Sequence, residues 1–109
     1  MSTAPVFNGK PIQFVASSNF DAKFGGIETM LYIQIARSVL ATYPVDMLVF
    51  EMNGHNQQVR LAGYDFNTNI LNEETIAYTA KSLQTDTFWL KIDDYGDKYL
   101  GTFLFPEDY

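Results

Sequence analysis

His55 is the residue best suited to general acid–base chemistry, because it is the single histidine of the sequence and imidazole titrates near neutral pH. It directly follows Asn53 and Gly54, a pair typical of a tight turn. A nucleophile for it to activate would have to come from Ser17 or Ser18, and no nucleophile motif surrounds either serine. The sequence contains no cysteine, so thiolate chemistry and cysteine metal sites are excluded. We therefore expect a non-catalytic protein.

Acidic residues and glycines suggest two further binding chemistries, and neither matches a known motif. Asp93, Asp94 and Asp97 could offer oxygen atoms to calcium or magnesium, but their spacing is not that of an EF-hand, and a tight turn uses the same residue types. The loop from Ser17 to Gly26 precedes a predicted helix and contains Lys23, a combination that favours an anion at the helix N-terminus. It lacks the Walker and GxGxxG patterns. We predict no metal and no cofactor.

Aromatic residues are the most distinctive feature of the composition. The 109 residues include nine Phe, seven Tyr and one Trp, and the net charge is −6. An acidic chain repels phosphate backbones and anionic lipids, so we expect no direct nucleic-acid partner and no membrane partner. The N-terminal residues lack the features of a signal peptide, which predicts a cytoplasmic location. The expected partner is a protein, and the acidic charge of the chain favours a partner with a basic surface.

Apolar periodicity predicts two helices that would position these groups. The first spans about Ile27–Thr42 and ends before Pro44, because proline disfavours helical geometry in the residue that precedes it. The second begins near Glu73, where Asn72 is a suitable N-cap. The apolar stripe of the first helix consists of Tyr32, Ile35, Ala36, Val39, Leu40 and Tyr43.

Alternating or continuous apolar runs predict five strands. The length predicts that the whole chain, residues 1–109, forms one domain. The element order β-α-β-β-α-β-β predicts an α+β fold. It consists of an antiparallel sheet with two helices on one face, a split βαβ arrangement of ferredoxin type, and an extra C-terminal edge strand. The predicted strands are Pro11–Ala16, Val45–Met52, Gln57–Asp65, Thr87–Ile92 and Tyr99–Phe105.

The C-terminal hairpin carries bulky side chains on both faces, and one layer of helices can cover only one of them. Exposed aromatic surface is typical of an interface. We therefore predict a small acidic intracellular inhibitor, adaptor or chaperone-like protein that binds a protein partner. The edge strand would also allow a homodimer. The predicted contact residues are the aromatic Trp89, Tyr99, Phe103, Phe20 and Phe24, and the acidic Asp93, Asp94 and Asp97, which would steer a basic partner.

Two alternatives belong to other functional classes. One is a small enzyme or ligand-binding domain that uses the loop from Ser17 to Gly26 together with His55. The other is a structural subunit of a homo-oligomeric assembly, which would use the same aromatic surface repeatedly.

Overall fold

A single α-helix lies in the part of the chain that the computed structural model describes, which is residues 5–53, 56–77 and 87–109. Helix α1 spans Ser18–Thr42, and the side chain of its N-cap, Ser17, accepts a hydrogen bond from the Phe20 N–H at 3.2 Å. Gly25 interrupts the helical geometry with a φ of 70°, which glycine adopts at little steric cost. The predicted helix is confirmed. The predicted loop from Ser17 to Gly26 is wrong, because the chain is already helical from Ser18.

Short strands make up most of the other described residues. Four predicted strands nearly coincide with observed ones, and the predicted strand over 57–65 is broken after Leu61. The chain ends in a 3-10 helix, Pro106–Asp108. In chain order the strands are β1 Val6–Phe7, β2 Lys10–Ala16, β3 Met47–Asn53, β4 Asn56–Leu61, β5 Gly63–Tyr64, β6 Leu71–Asn72, β7 Thr75–Ala77, β8 Phe88–Asp94 and β9 Tyr99–Leu104.

The main sheet is mixed. Its strand order is β1-β2-β9-β8-β3-β4-β7, and β5 pairs with β6 in a separate two-stranded hairpin. Strands β2 and β9 run parallel, whereas the other neighbouring pairs are antiparallel. The C-terminal strand β9 therefore lies inside the sheet, between β2 and β8. A homodimer that pairs an open edge of β9 with its own copy is ruled out, because both edges of β9 are already paired.

The predicted ferredoxin-type arrangement, with two helices on an antiparallel sheet, is wrong. Where the second helix was expected from Glu73, Thr75–Ala77 instead forms β7 and pairs with β4, and residues 78–86 lie outside the described part. Asn72 explains the error. Its side chain accepts a hydrogen bond from the Glu74 N–H at 3.0 Å. Asparagine makes this kind of contact both in turns and at helix N-caps, so its presence does not distinguish the two.

Helix α1 covers one face of the main sheet, which we call the inner face. The register pairs Leu90 with Phe103 across β8 and β9, so both side chains point to this face. Phe50 of β3 stacks on Phe88 of β8 with ring centroids 4.7 Å apart. The core is therefore an aromatic cluster between α1 and three central strands. The helix contributes five buried side chains to the hydrophobic core, both aromatic and aliphatic: Phe20, Tyr32, Ala36, Val39 and Leu40.

Candidate interaction surface

The sheet face opposite α1, which we call the outer face, has no helix packed on it within the described ranges. Strand register arranges its side chains in rows across the sheet, because alternate residues of each strand point to the same side. The central row joins Val49, Trp89 and Leu104. The adjacent row runs through Met47, Lys91, Thr102 and Val15.

Trp89 is the central side chain of this face. It is half-buried, whereas its neighbours in the row, Val49 and Leu104, are only 4% and 7% exposed. The Tyr109 ring meets the indole edge-on, with centroids 5.8 Å apart, and Tyr109 itself is 73% exposed. The two rings thus form an accessible aromatic pair over a buried aliphatic base.

Lys91 adds a positive charge beside this aromatic pair. Its ammonium donates a hydrogen bond of 3.4 Å to the Tyr109 hydroxyl and lies 5.0 Å from the centre of that ring. A carboxylate oxygen of Asp93 lies 3.8 Å away. The hydrogen bond to Tyr109, followed by the charge of Asp93, raises the pKa of Lys91. The outer face therefore combines aromatic area with a cation that stays protonated at neutral pH.

Asp108 fixes the end of the chain against the start of α1. Its carboxylate accepts hydrogen bonds from Asn19 Nδ2 at 2.6 Å, from the Ser17 hydroxyl at 2.8 Å and from the Phe105 N–H at 3.2 Å. The bond from Asn19, followed by that from Ser17, lowers the pKa of Asp108. The carboxylate thus lies at the N-terminus of α1, and its hydrogen bonds hold the neighbouring Tyr109 near Trp89.

The other aromatic residues that the sequence proposed for partner contact lie on the inner face of the sheet or on the helix packed against it. Phe20 and Phe103 have no exposed surface, and Tyr99 is 3% exposed. Phe24 is half-buried, and its ring lies 4.8 Å from that of Phe20. Trp89 points the other way, because it alternates with the buried Phe88 and Leu90. Of the proposed aromatic contacts, the structure therefore places Trp89 alone on the outer face.

The three aspartates of the C-terminal hairpin do not form one acidic surface. Asp93 is paired with Lys91. Asp94 accepts a hydrogen bond from Lys10 at 2.6 Å and another from the Gly96 N–H at 2.8 Å. The bond with Lys10 lowers the pKa of Asp94 and raises that of Lys10. Asp97 is exposed and has no ion pair with any residue that the structure describes.

The residues considered for catalysis or metal binding are not brought together in the described ranges. Ser17 is the helix cap described above, and His55 lies outside the described residues. No cluster of three acidic or histidine side chains that could hold a metal ion is present among the described residues.

An exposed apolar group on the β5–β6 hairpin was not predicted from the sequence. Tyr64 and Leu71 are cross-strand neighbours with 51% and 48% of their surface exposed, and Ile70 is 66% exposed. The polar run between them is typical of a turn, and Asn69 adopts a φ of 57° in it. The hairpin was missed because one continuous strand was predicted over 57–65, whereas β4 ends at Leu61 and β5 begins at Gly63.

A comparison with family models, curated proteins and solved structures finds no match for this chain. No helix among the described residues combines the length and the apolarity that crossing a bilayer requires.

Proposed function

We propose that this chain is a non-catalytic protein-binding module whose contact surface is the outer face of the sheet, centred on Trp89. The observation that carries the proposal is that the half-buried Trp89 and the exposed Tyr109 form an aromatic pair on a sheet face that no helix of the described residues covers. Tryptophan and tyrosine are enriched among the residues that dominate binding energy at protein interfaces.

The composition around the pair supports the same function. Arg60 and Lys91 flank the central row, and each lies within ion-pair distance of a carboxylate, Glu51 at 3.5 Å and Asp93 at 3.8 Å. A central aromatic group with a mixed polar rim is the usual anatomy of an interface. The hairpin aspartates contribute less than was expected from the sequence, because Asp93 and Asp94 each form an ion pair with a lysine. Aromatic contact rather than acidic steering is therefore the proposed source of affinity.

Two outer-face variants test the proposal. Trp89→Ala removes the central ring, and Val15→Glu places a charge on β2 at a side chain that is 37% exposed. Ile27→Glu is the matched control, because Ile27 is 89% exposed on α1, on the other side of the molecule. Each immobilised protein is exposed to lysate of the organism that encodes it, and retained proteins are identified by mass spectrometry.

We expect the wild type and Ile27→Glu to retain the same protein from the lysate. Its affinity should fall by about 30-fold or more in Trp89→Ala, as expected for the loss of a central interface residue. Equal retention by all four proteins, or no specific retention by the wild type, would refute it. Light scattering over a range of concentrations shows whether the retained partner is a second copy of the chain.

A further inference from the structure

A groove separate from the outer face runs beside the second half of α1. Its volume is about 750 Å³, within the range of small-molecule sites. One wall is α1 from Gln34 to Thr42, and the other is built from β1, β2 and the turn that begins at Asp65. Its base is apolar, because the lining residues Phe7, Ile12 and Leu40 are buried side chains of the core.

Arg37 supplies the positive charge of the groove. It lies on the helical wall and is exposed, and it has no hydrogen-bond or ion-pair partner among the described residues. A guanidinium group in this position can bind a carboxylate through two parallel hydrogen bonds.

The opposite charge lies at the C-terminal end of α1. Asp65 is held there by a β-bridge to Val45 and by the bond that the Phe66 N–H donates to the Pro44 carbonyl at 2.9 Å. One carboxylate oxygen, Oδ1, accepts two backbone N–H groups of its own turn, at 2.7 and 3.0 Å. The other oxygen has no partner among the described residues. The helix C-terminus adds partial negative charge, and no basic residue occupies its last turn.

The distance along α1 from Arg37 to the helix C-terminus indicates the length of ligand that the groove suits. Arg37 precedes the last helical residue, Thr42, by five positions, which is about 7.5 Å along the helix axis. A dipeptide in extended form spans about 7 Å between its termini. An amino acid is shorter, since its ammonium and carboxylate are attached to the same carbon atom.

We infer that this groove binds a small zwitterion with an apolar body, of which a dipeptide with apolar side chains is the simplest example. Arg37 holds the carboxylate, Asp65 and the C-terminal end of α1 hold the ammonium group, and the apolar base receives the side chains. This site is independent of the proposed function, because it uses none of the outer-face residues.

The experiment is calorimetric titration of the whole chain with the dipeptide leucylphenylalanine. Arg37→Gln and Asp65→Asn each remove one charge, and Asp65→Asn keeps the Oδ1 acceptor that the turn uses. Arg60→Gln is the matched control, because Arg60 lies on the outer face beside Glu51. Circular dichroism confirms that each variant is folded before it is titrated.

Binding should weaken by about tenfold or more in Arg37→Gln and in Asp65→Asn, the loss expected for one charge-assisted hydrogen bond, and should be unchanged in Arg60→Gln. Acetylation of the ligand amine or amidation of its carboxyl group should weaken binding to the same degree. Failure of the dipeptide to bind would overturn the inference. So would equal binding of the acetylated or amidated ligand, or equal affinity of all variants.

Discussion

Replacing Phe20 by alanine should remove a large part of the stability of this protein. Phe20 has no exposed surface, and its ring lies between the helix and the sheet, with centroids 4.8 Å from Phe24, 5.0 Å from Phe88 and 5.3 Å from Phe103. The helix holds Phe20 in the first turn after the Ser17 cap, so neighbouring side chains cannot collapse far into the vacated space.

The expected cost follows from the size of the ring and from its burial. Truncation of a buried phenylalanine to alanine destabilises a protein by about 3–5 kcal/mol. A domain is stable by only about 5–15 kcal/mol in total. At roughly 4 °C per kcal/mol for a chain of this length, the melting temperature should fall by about 12–20 °C.

Urea and thermal unfolding followed by circular dichroism measure this loss. Ile27→Ala is the control, because Ile27 belongs to the same helix but is 89% exposed, and it should change stability by less than about 0.5 kcal/mol. A Phe20→Ala variant within about 1 kcal/mol of the wild type would refute the placement of Phe20 in the core. It would also restore Phe20 as a candidate for the partner contact that the sequence suggested.

Two further predictions concern the chain end and two glycines. Hydrogen bonds from Asn19 and Ser17 lower the pKa of Asp108, so its contribution to stability is present above the unfolded-state value and is lost as the pH falls through the folded-state value, below about pH 4. Urea midpoints measured from pH 7 to 2 should therefore fall less in Asp108→Asn than in the wild type, and parallel curves would contradict this origin. Gly63→Ala should cost about 1–3 kcal/mol, because the new Cβ would overlap the Asp46 carboxylate and lie 2.7 Å from the Met47 nitrogen. Gly26→Ala, with no atom within 4 Å of the new Cβ, should stabilise α1 by about 0.5–1 kcal/mol, and the opposite order of these two variants in urea would refute the packing around Gly63.

Local patterns in the sequence predicted the parts of the fold that local physics controls. The apolar stripe over Ile27–Thr42 is a helix whose Tyr32 and Leu40 are buried, and Pro44 follows its end. The alternation in β8 also held, with Phe88 and Leu90 facing the core while Trp89 faces away. Each of these features depends on neighbours a few residues apart, which is the range over which apolar periodicity carries information.

Pairing between distant segments could not be predicted in this way. The parallel pairing of β2 with β9 joins Phe14 to Gly101 across most of the chain, and nothing in either strand specifies the other as its partner. That pairing moved the C-terminal strand from an edge to the interior of the sheet. The same limit applies to Asn72, whose capping contact is local and identical in a turn and at a helix start.

The excess of aromatic residues has an explanation that the predicted fold did not allow. The residues before Gly26, assigned to a loop, are the first turns of α1, and they place Phe20 and Phe24 over Phe88 and Phe103. Much of the aromatic surface that appeared to need a partner is therefore covered by the chain itself.

The geometry of β8 explains why Trp89 does not pack into the aromatic core. Successive residues of a strand point to opposite faces, so a residue between the buried Phe88 and Leu90 cannot also reach the inner face. Helix α1 lies on that inner face, whereas on the outer face the ring that meets Trp89, among the residues that the structure describes, is that of Tyr109. The alternation that buries the neighbours of Trp89 thus leaves its ring half-exposed, and a partner that binds the outer face would complete its burial.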